Sequence, residues 1–290
     1  MESGNELSGI LDILRQDMDL GMGSRDDTKN IGEPLKKDVV AIDGGSSTIW
    51  SNGIASIGVL RYGFVSYSPS FKVRKVSVKS EFVLNREGES SLDMERHRRE
   101  VSMIKEASVF GDVVLFDGAL SRIPDIGLER EVDAVRESSI VVGVSKNSTL
   151  SVINDRMPDI WLPLGPSSYR KVPKEGIEKM IEKRNLIEGA HTVYARFHEK
   201  GPSLRIDIAG DESEALMVLK HYSYYNLCPG YPFPLAEIHR LVCMDDKREI
   251  YEHKLRREME ENGMGDIFLK GRMLNGRNTS NFHSTLDGLV

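Results

Sequence analysis

The sequence predicts an α/β fold, a mixed sheet flanked by helices with additional helical and strand elements. Three observations carry that expectation. Short apolar runs at Val39–Ile42, Val113–Phe116 and Ile140–Val144 each stop in polar or turn residues, as strands covered on both faces do. Residues 54–67 and 71–84, rich in Val, Tyr, Phe and Ser in partial alternation around Pro69, read as an antiparallel meander. Helical periodicity separates the later runs, so the order β-β-β-α-β-α-β with α and β additions is that of a sheet between helix layers.

Composition agrees with a folded domain. The chain has 290 residues, 39% hydrophobic and 29% charged, with 26 Gly and 11 Pro, which is neither collagenous nor disordered. No apolar run is long enough to span a bilayer, and the N-terminal residues lack a basic region followed by an apolar one, so a cytoplasmic protein without a membrane segment is expected. Two cysteines, Cys228 and Cys243, stand outside any CxxC spacing and are expected as buried thiols, which excludes a zinc ribbon, a multi-bridge disulfide framework and a thioredoxin-type site. The net charge of −6 argues against a passive nucleic-acid coat but not against an enzyme that gathers carboxylates around cations.

The elements follow in order. Leu7, Ile10, Leu11 and Leu14 give a short amphipathic helix, and residues 21–37 read as a polar connector, so residues 1–37 are set apart from a domain expected over 38–265 and a polar tail over 266–290. Asp43 is placed at the end of the first strand, where Gly44-Gly45-Ser46-Ser47-Thr48 reads as a turn. Residues 90–109 form a helix whose Met94, Val101 and Ile104 share a face, imperfectly because His97 interrupts the stripe. Glu100 flanks that face, whereas Glu95 and Glu106 point further toward solvent. Asp117-Gly118 ends the second apolar strand, a helix over 128–137 follows, and Lys146 closes the third. The second half reads as a helix over 174–188, strands over 192–199 and 204–209, a helix over 212–222 and one long charged helix over 234–261.

Two neighbouring strands ending in Asp43 and Asp117, with Glu100 on the helix between them, would bring three carboxylates to one sheet edge. Such oxygen-rich sets suit Mg²⁺ or Mn²⁺ rather than zinc, and a pair of these ions activates water against a phosphodiester. An Asp before a Gly is in itself an ordinary turn residue. The coincidence of all three is what points to a cation site.

The runs Val39-Val40-Ala41-Ile42-Asp43-Gly44-Gly45-Ser46, Leu115-Phe116-Asp117-Gly118-Ala119-Leu120, Val142-Gly143-Val144-Ser145-Lys146 and Gly230-Tyr231-Pro232-Phe233-Pro234-Leu235, the last followed by Glu237 and His239, resemble in order the motifs of the NurA nuclease family. The resemblance covers residues 38–245. It implies an RNase H-like core and a manganese-dependent nuclease, or one using Mg²⁺, with two ions expected. It further implies 5′-to-3′ exonuclease action on DNA ends, endonuclease action on single strands, a homodimer, and a HerA-type hexameric ATPase as partner in resection. Carried over by position, Asp43, Asp117 and His239 are metal ligands, with His239 alternatively a general base, and Glu100 is the helical ligand with Glu95 as its competitor. Tyr231 positions phosphate or water, and Lys146 contacts the scissile phosphate as a point charge. Taken without the family, His239 is an ambiguous helical histidine, and the remaining histidines, His97 among them, show no ligand pattern.

Basic clusters occur at Arg96, Arg98 and Arg99, at Arg170, Lys171 and Lys174, and at Lys254, Arg256 and Arg257. The first two are DNA-backbone candidates; the third, followed by Glu258, Glu260 and Glu261, reads as a solvated helix face. No GxxxxGK[ST] occurs, so a motor would come from a partner. Two rivals stand beside the nuclease: an actin-like or sugar-kinase phosphotransferase, which the Asp43–Thr48 run also resembles, and a non-catalytic scaffold binding DNA ends.

Overall fold

The structure, a computed structural model, describes residues 27–86, 91–121, 123, 126–153, 158–161, 163–173, 186–224 and 227–278. The first half comprises β1 (Lys29–Asn30), β2 (Val39–Ser51), β3 (Ala55–Tyr67), β4 (Val73–Arg86), α1 (Leu92–Ser102), α2 (Ile104–Ser108), β5 (Val113–Asp117), α3 (Leu128–Asp133) and β6 (Ile140–Ser145). A 3-10 turn at Asp159–Trp161 leads to β7 (Ser168–Lys171), β8 (His191–Arg196), β9 (Leu204–Ala209), α4 (Glu212–Tyr222), α5 (Phe233–Val242), α6 (Arg248–Glu261) and α7 (Gly265–Asn278). Among the described residues the strands make one sheet in the order β1-β7-β8-β9-β6-β5-β2-β3-β4. The β2–β5 and β5–β6 pairs are parallel and the others antiparallel.

Strand alternation builds two cores on this sheet. Val39, Ala41, Leu115 and Val144 pack with Leu216, Leu219, Leu235 and Ile238 of α4 and α5. Their neighbours Val40, Ile42, Val114 and Phe116 point the other way and pack with Val101, Ile104, Leu128 and Val132 of α1, α2 and α3. Each fully buried aliphatic side chain stabilises the fold by about 1.5–3 kcal/mol. Helices on both faces are thus what the continuous apolar runs required. A third cluster joins Ile49, Trp50 and Val59 to Met244, Leu255, Met259 and Phe268, with Trp50 Nε1 donating to the Phe268 carbonyl at 3.0 Å.

Several elements differ from the sequence expectation for physical reasons. β2 does not stop at Asp43: it pairs with β3 through Ser51, and only its parallel ladder with β5 stops, at Ile42–Phe116. The helix expected over 90–109 breaks at Met103, whose N–H bonds back to the Glu100 carbonyl at 3.1 Å in a tightened turn. The helix expected over 234–261 is two, because Cys243 is extended and carries Met244 into the third cluster. Part of the connector is sheet: Lys29 and Asn30 pair with Tyr169 and Ser168, beside a buried Ile31. The tail expected from residue 266 is helical through Asn278. The cysteines are unbridged and half-buried rather than buried. The Leu7–Leu14 stripe, residues 174–185 of the expected helix and residues 279–290 of the tail lie outside the described residues. Among the described residues no helix is long and apolar enough to cross a membrane.

A buried charge network locks β9 to the segment after β5. Asp207 accepts from Arg205 Nε at 3.0 Å and Nη2 at 2.9 Å, from Thr192 Oγ1 at 2.6 Å, and from the Leu120 N–H at 3.0 Å. Asp207 is fully buried and Arg205 nearly so. Removing one member of such a pair leaves the other charged and unsolvated. Asp207→Ala is expected to destabilise the fold by about 3–5 kcal/mol in chemical denaturation, and a loss below about 1 kcal/mol, in the range of an exposed pair, would show that the network does not fix this region.

Candidate metal centre

The parallel ladder sets the geometry of the site. β5 ends at Asp117, which lies opposite Val144 of β6, so Lys146 follows two residues beyond Val144, just past the end of β6. Ile42 is the last β2 residue to pair with β5, which puts Asp43 at the same edge. From the other side, α5 begins after Pro232, with Pro234 in its first turn where no N–H partner is required. Its last turn carries His239 to Asp43.

Asp43, Asp117 and His239 each present a ligand atom, and these atoms lie within 4.8 Å of one another. Asp43 is buried; its Oδ1 accepts from the Gly44 N–H at 2.7 Å and its Oδ2 lies 2.8 Å from His239 Nδ1. That contact with Asp43 raises the imidazole pKa despite partial burial. Asp117 is also pushed upward, first by burial and then by the charge of Asp43, with Lys146 opposing. Lys146 Nζ sits 2.9 Å from Asp117 Oδ2 and 4.8 Å from the centre of the Tyr231 ring. The lysine is partly exposed while its carboxylate partner is largely buried, so the charge of Lys146 lies between Asp117 and solvent. The buried Tyr231 hydroxyl faces the Asp117 charge without a well-aligned hydrogen-bond partner, and burial followed by that charge drives its pKa far up.

Glu100 is brought to the site but does not join the three ligand atoms. It is fully buried, and Gly44 passes so closely that a Cβ there would stand 2.6 Å from Glu100 Oε1. Arg96 holds Oε1, and His97 Nδ1 lies 3.0 Å from Oε2. Burial raises the Glu100 pKa against both neighbours. Glu95 instead pairs with Arg98 and is not among the clustered ligand atoms. The sequence alone placed Arg96 among the DNA-backbone candidates and His97 outside any ligand pattern, and tied neither to Glu100. Their signal was the spacing of three and four residues from Glu100, which on a helix makes neighbours.

The basic clusters resolve mostly into ion pairs: Arg99 with Glu81, Lys171 with Glu212, Arg256 with Glu260, and Arg170 3.6 Å from Asp27. Lys174 lies outside the described residues.

Two converging carboxylates, an imidazole and the buried Glu100 nearby make a donor set of oxygen and nitrogen that fits a hard or borderline divalent cation. The mutual repulsion of Asp43 and Asp117 is what such a cation would relieve.

The NurA domain family model matches residues 37–243. In three dimensions the chain is similar to the NurA nuclease from Sulfolobus solfataricus, with a TM-score of 0.65 and 18% identity over 90% of this chain and 95% of that one. It is also similar to a NurA bound to dAMP and manganese (TM-score 0.58, 12% identity, 84% and 94% covered). A NurA with manganese gives a TM-score of 0.57 at 12% identity, with 89% and 98% covered. Among curated proteins no sequence matches. The fold these structures share with the chain is the RNase H-like mixed sheet flanked by helices.

Gly45 tests how α5 is seated. A Cβ there would stand 2.5 Å from the Val242 carbonyl oxygen, backbone against backbone. Gly45→Ala is expected to push the end of α5 off β2, costing about 1–3 kcal/mol and weakening any divalent-cation binding along with thermal stability; unchanged calorimetric binding of such a cation would show that α5 does not set His239.

Proposed function

The chain belongs to the NurA family, and from that premise we propose that it is a metal-dependent nuclease acting on DNA, with Asp43, Asp117 and His239 as its cation ligands. The observation that carries the proposal is the convergence of those three side chains at the end of the parallel ladder, in a chain whose family match spans the same residues. Manganese in two related structures supports Mn²⁺, or Mg²⁺, as the ion, and dAMP in one supports a nucleotide product or substrate end. One such ion or a pair would supply an activated water and neutralise charge on the leaving oxygen.

The side chains divide the remaining work. Asp43 fixes His239 through Nδ1 and so leaves Nε2 free of that contact to coordinate or to hold a proton. Lys146, exposed above Asp117, offers a point charge to the scissile phosphate. The Tyr231 hydroxyl, held neutral by its surroundings, donates to phosphate or water. Glu100 is the acidic residue next in reach.

The proposal extends to 5′-to-3′ resection of DNA ends and single-strand endonuclease action by a cytoplasmic homodimer working with a HerA-type hexameric ATPase. Supporting this extension are the family membership and a sequence without a P-loop of its own. The kinase-like reading loses its ground because the family match takes in the Asp43–Thr48 run on which it rested.

Incubation of end-labelled single- and double-stranded DNA with Mn²⁺, Mg²⁺ or EDTA tests the reading. Metal-dependent degradation is expected, with Asp43→Ala and Asp117→Ala folded but at least about 100-fold slower and His239→Ala similarly impaired, in line with loss of a group supplying several kcal/mol at the transition state. Cleavage that survives EDTA, or is undiminished in either aspartate variant, would remove the proposed centre.

A further inference from the structure

Glu100 has both carboxylate oxygens engaged by side chains of its own helix. The two holders differ in kind. His97 is wedged beneath the site, its ring edge-on to Phe116 with centroids 5.4 Å apart, and is largely buried. Arg96 lies at the surface side with its side chain partly exposed; besides Glu100 it reaches the Gly44 carbonyl at 3.3 Å and lies 3.7 Å from Asp93 Oδ1. Asp93 is in turn held by Ser46 Oγ at 2.9 Å. Arg96 therefore spans from the rim to the buried carboxylate beside Asp43.

A buried carboxylate needs a compensating charge. Arg96 supplies it here, and in doing so it competes with a cation for Glu100 Oε1. A guanidinium stays charged at any working pH and forms bidentate bonds to phosphate as well as to carboxylate. The same side chain thus has two attractive partners, one inside the protein and one brought by a nucleic acid.

We propose that Arg96 gates the cation site: it holds Glu100 apart from the Asp43–Asp117–His239 cluster until a DNA phosphate draws the guanidinium outward, when Glu100, still braced by His97, completes the ligand set. The inference rests on the proposed nuclease reading and adds to it that substrate and cation bind cooperatively. Linkage makes the effect reciprocal, so the oligonucleotide tightens the ion as much as the ion tightens the oligonucleotide.

Calorimetric titration of Mn²⁺ into the full chain, with and without a cleavage-resistant phosphorothioate single strand, tests the gate without relying on turnover. The oligonucleotide is expected to tighten Mn²⁺ binding to the wild type about tenfold. Arg96→Gln is expected to bind Mn²⁺ about that much more tightly on its own and to lose most of the oligonucleotide effect, while Arg96→Lys, which keeps the charge, retains wild-type affinity. In a Glu100→Gln background the Arg96→Gln gain disappears. Overturning results are an unaltered affinity in a folded Arg96→Gln protein, a gain of the same size in the Glu100→Gln background, or a wild type whose Mn²⁺ affinity ignores the oligonucleotide. The last needs no variant to fold. A wild type that binds no Mn²⁺ at all fails differently, since it removes the cation reading itself.

Discussion

Asp43 and Asp117 lie at the same end of two parallel strands, where their charges repel and where burial denies them water. The sheet order compels the meeting: β2 pairs with β5 in parallel, and the ladder ends at Ile42 and Phe116, one residue before each aspartate. Donors and cations partly offset them. The Gly44 N–H and His239 serve Asp43, and Lys146 serves Asp117. The two hydrophobic layers keep the strands abreast, and the Asp207 network ties the Leu120 N–H, three residues after Asp117, to β9. A repulsion held in place by so much packing costs stability, and a cation of the proposed kind would relieve it.

The resulting centre is asymmetric. The Asp43 side is deep and braced by α5, whose seating needs a glycine at position 45 to let backbone meet backbone. The Asp117 side opens toward Lys146 and the Tyr231 ring, which together give a cationic and a hydroxyl group beside one carboxylate. Glu100 enters from a third direction, on α1, and is restrained by its own helical neighbours. In the proposed chemistry this separates three fixed ligands, Asp43, Asp117 and His239, from a fourth whose availability is controlled.

Much of this was legible in the residues. The apolar runs around residues 40, 114 and 141 announced strands covered on both faces, and aspartates ending or following them marked an edge. His239, by contrast, is one histidine among seven, and only the ordered motifs around Tyr231 and Pro232 lifted it out. Other features were hidden because tertiary packing decided them. Gly44 and Gly45 read as a turn, yet they continue β2 and are small because Glu100 and the Val242 carbonyl come within a Cβ's reach. The break at Cys243 follows from Met244 packing with Trp50 and Phe268, partners near opposite ends of the chain. β7 is four mostly polar residues whose strand character comes from pairing with β8. His97 looked like a flaw in an apolar stripe because its role is set by Glu100 and not by the core.

On this proposal the converging side chains at the end of the β2–β5 ladder hold a divalent cation. Anomalous diffraction from crystals of the protein soaked in Mn²⁺ tests it most directly. Manganese density is expected in contact with both Asp43 and Asp117, and lost in crystals of Asp117→Ala. Manganese bound only elsewhere, or none at saturating concentration, would contradict it.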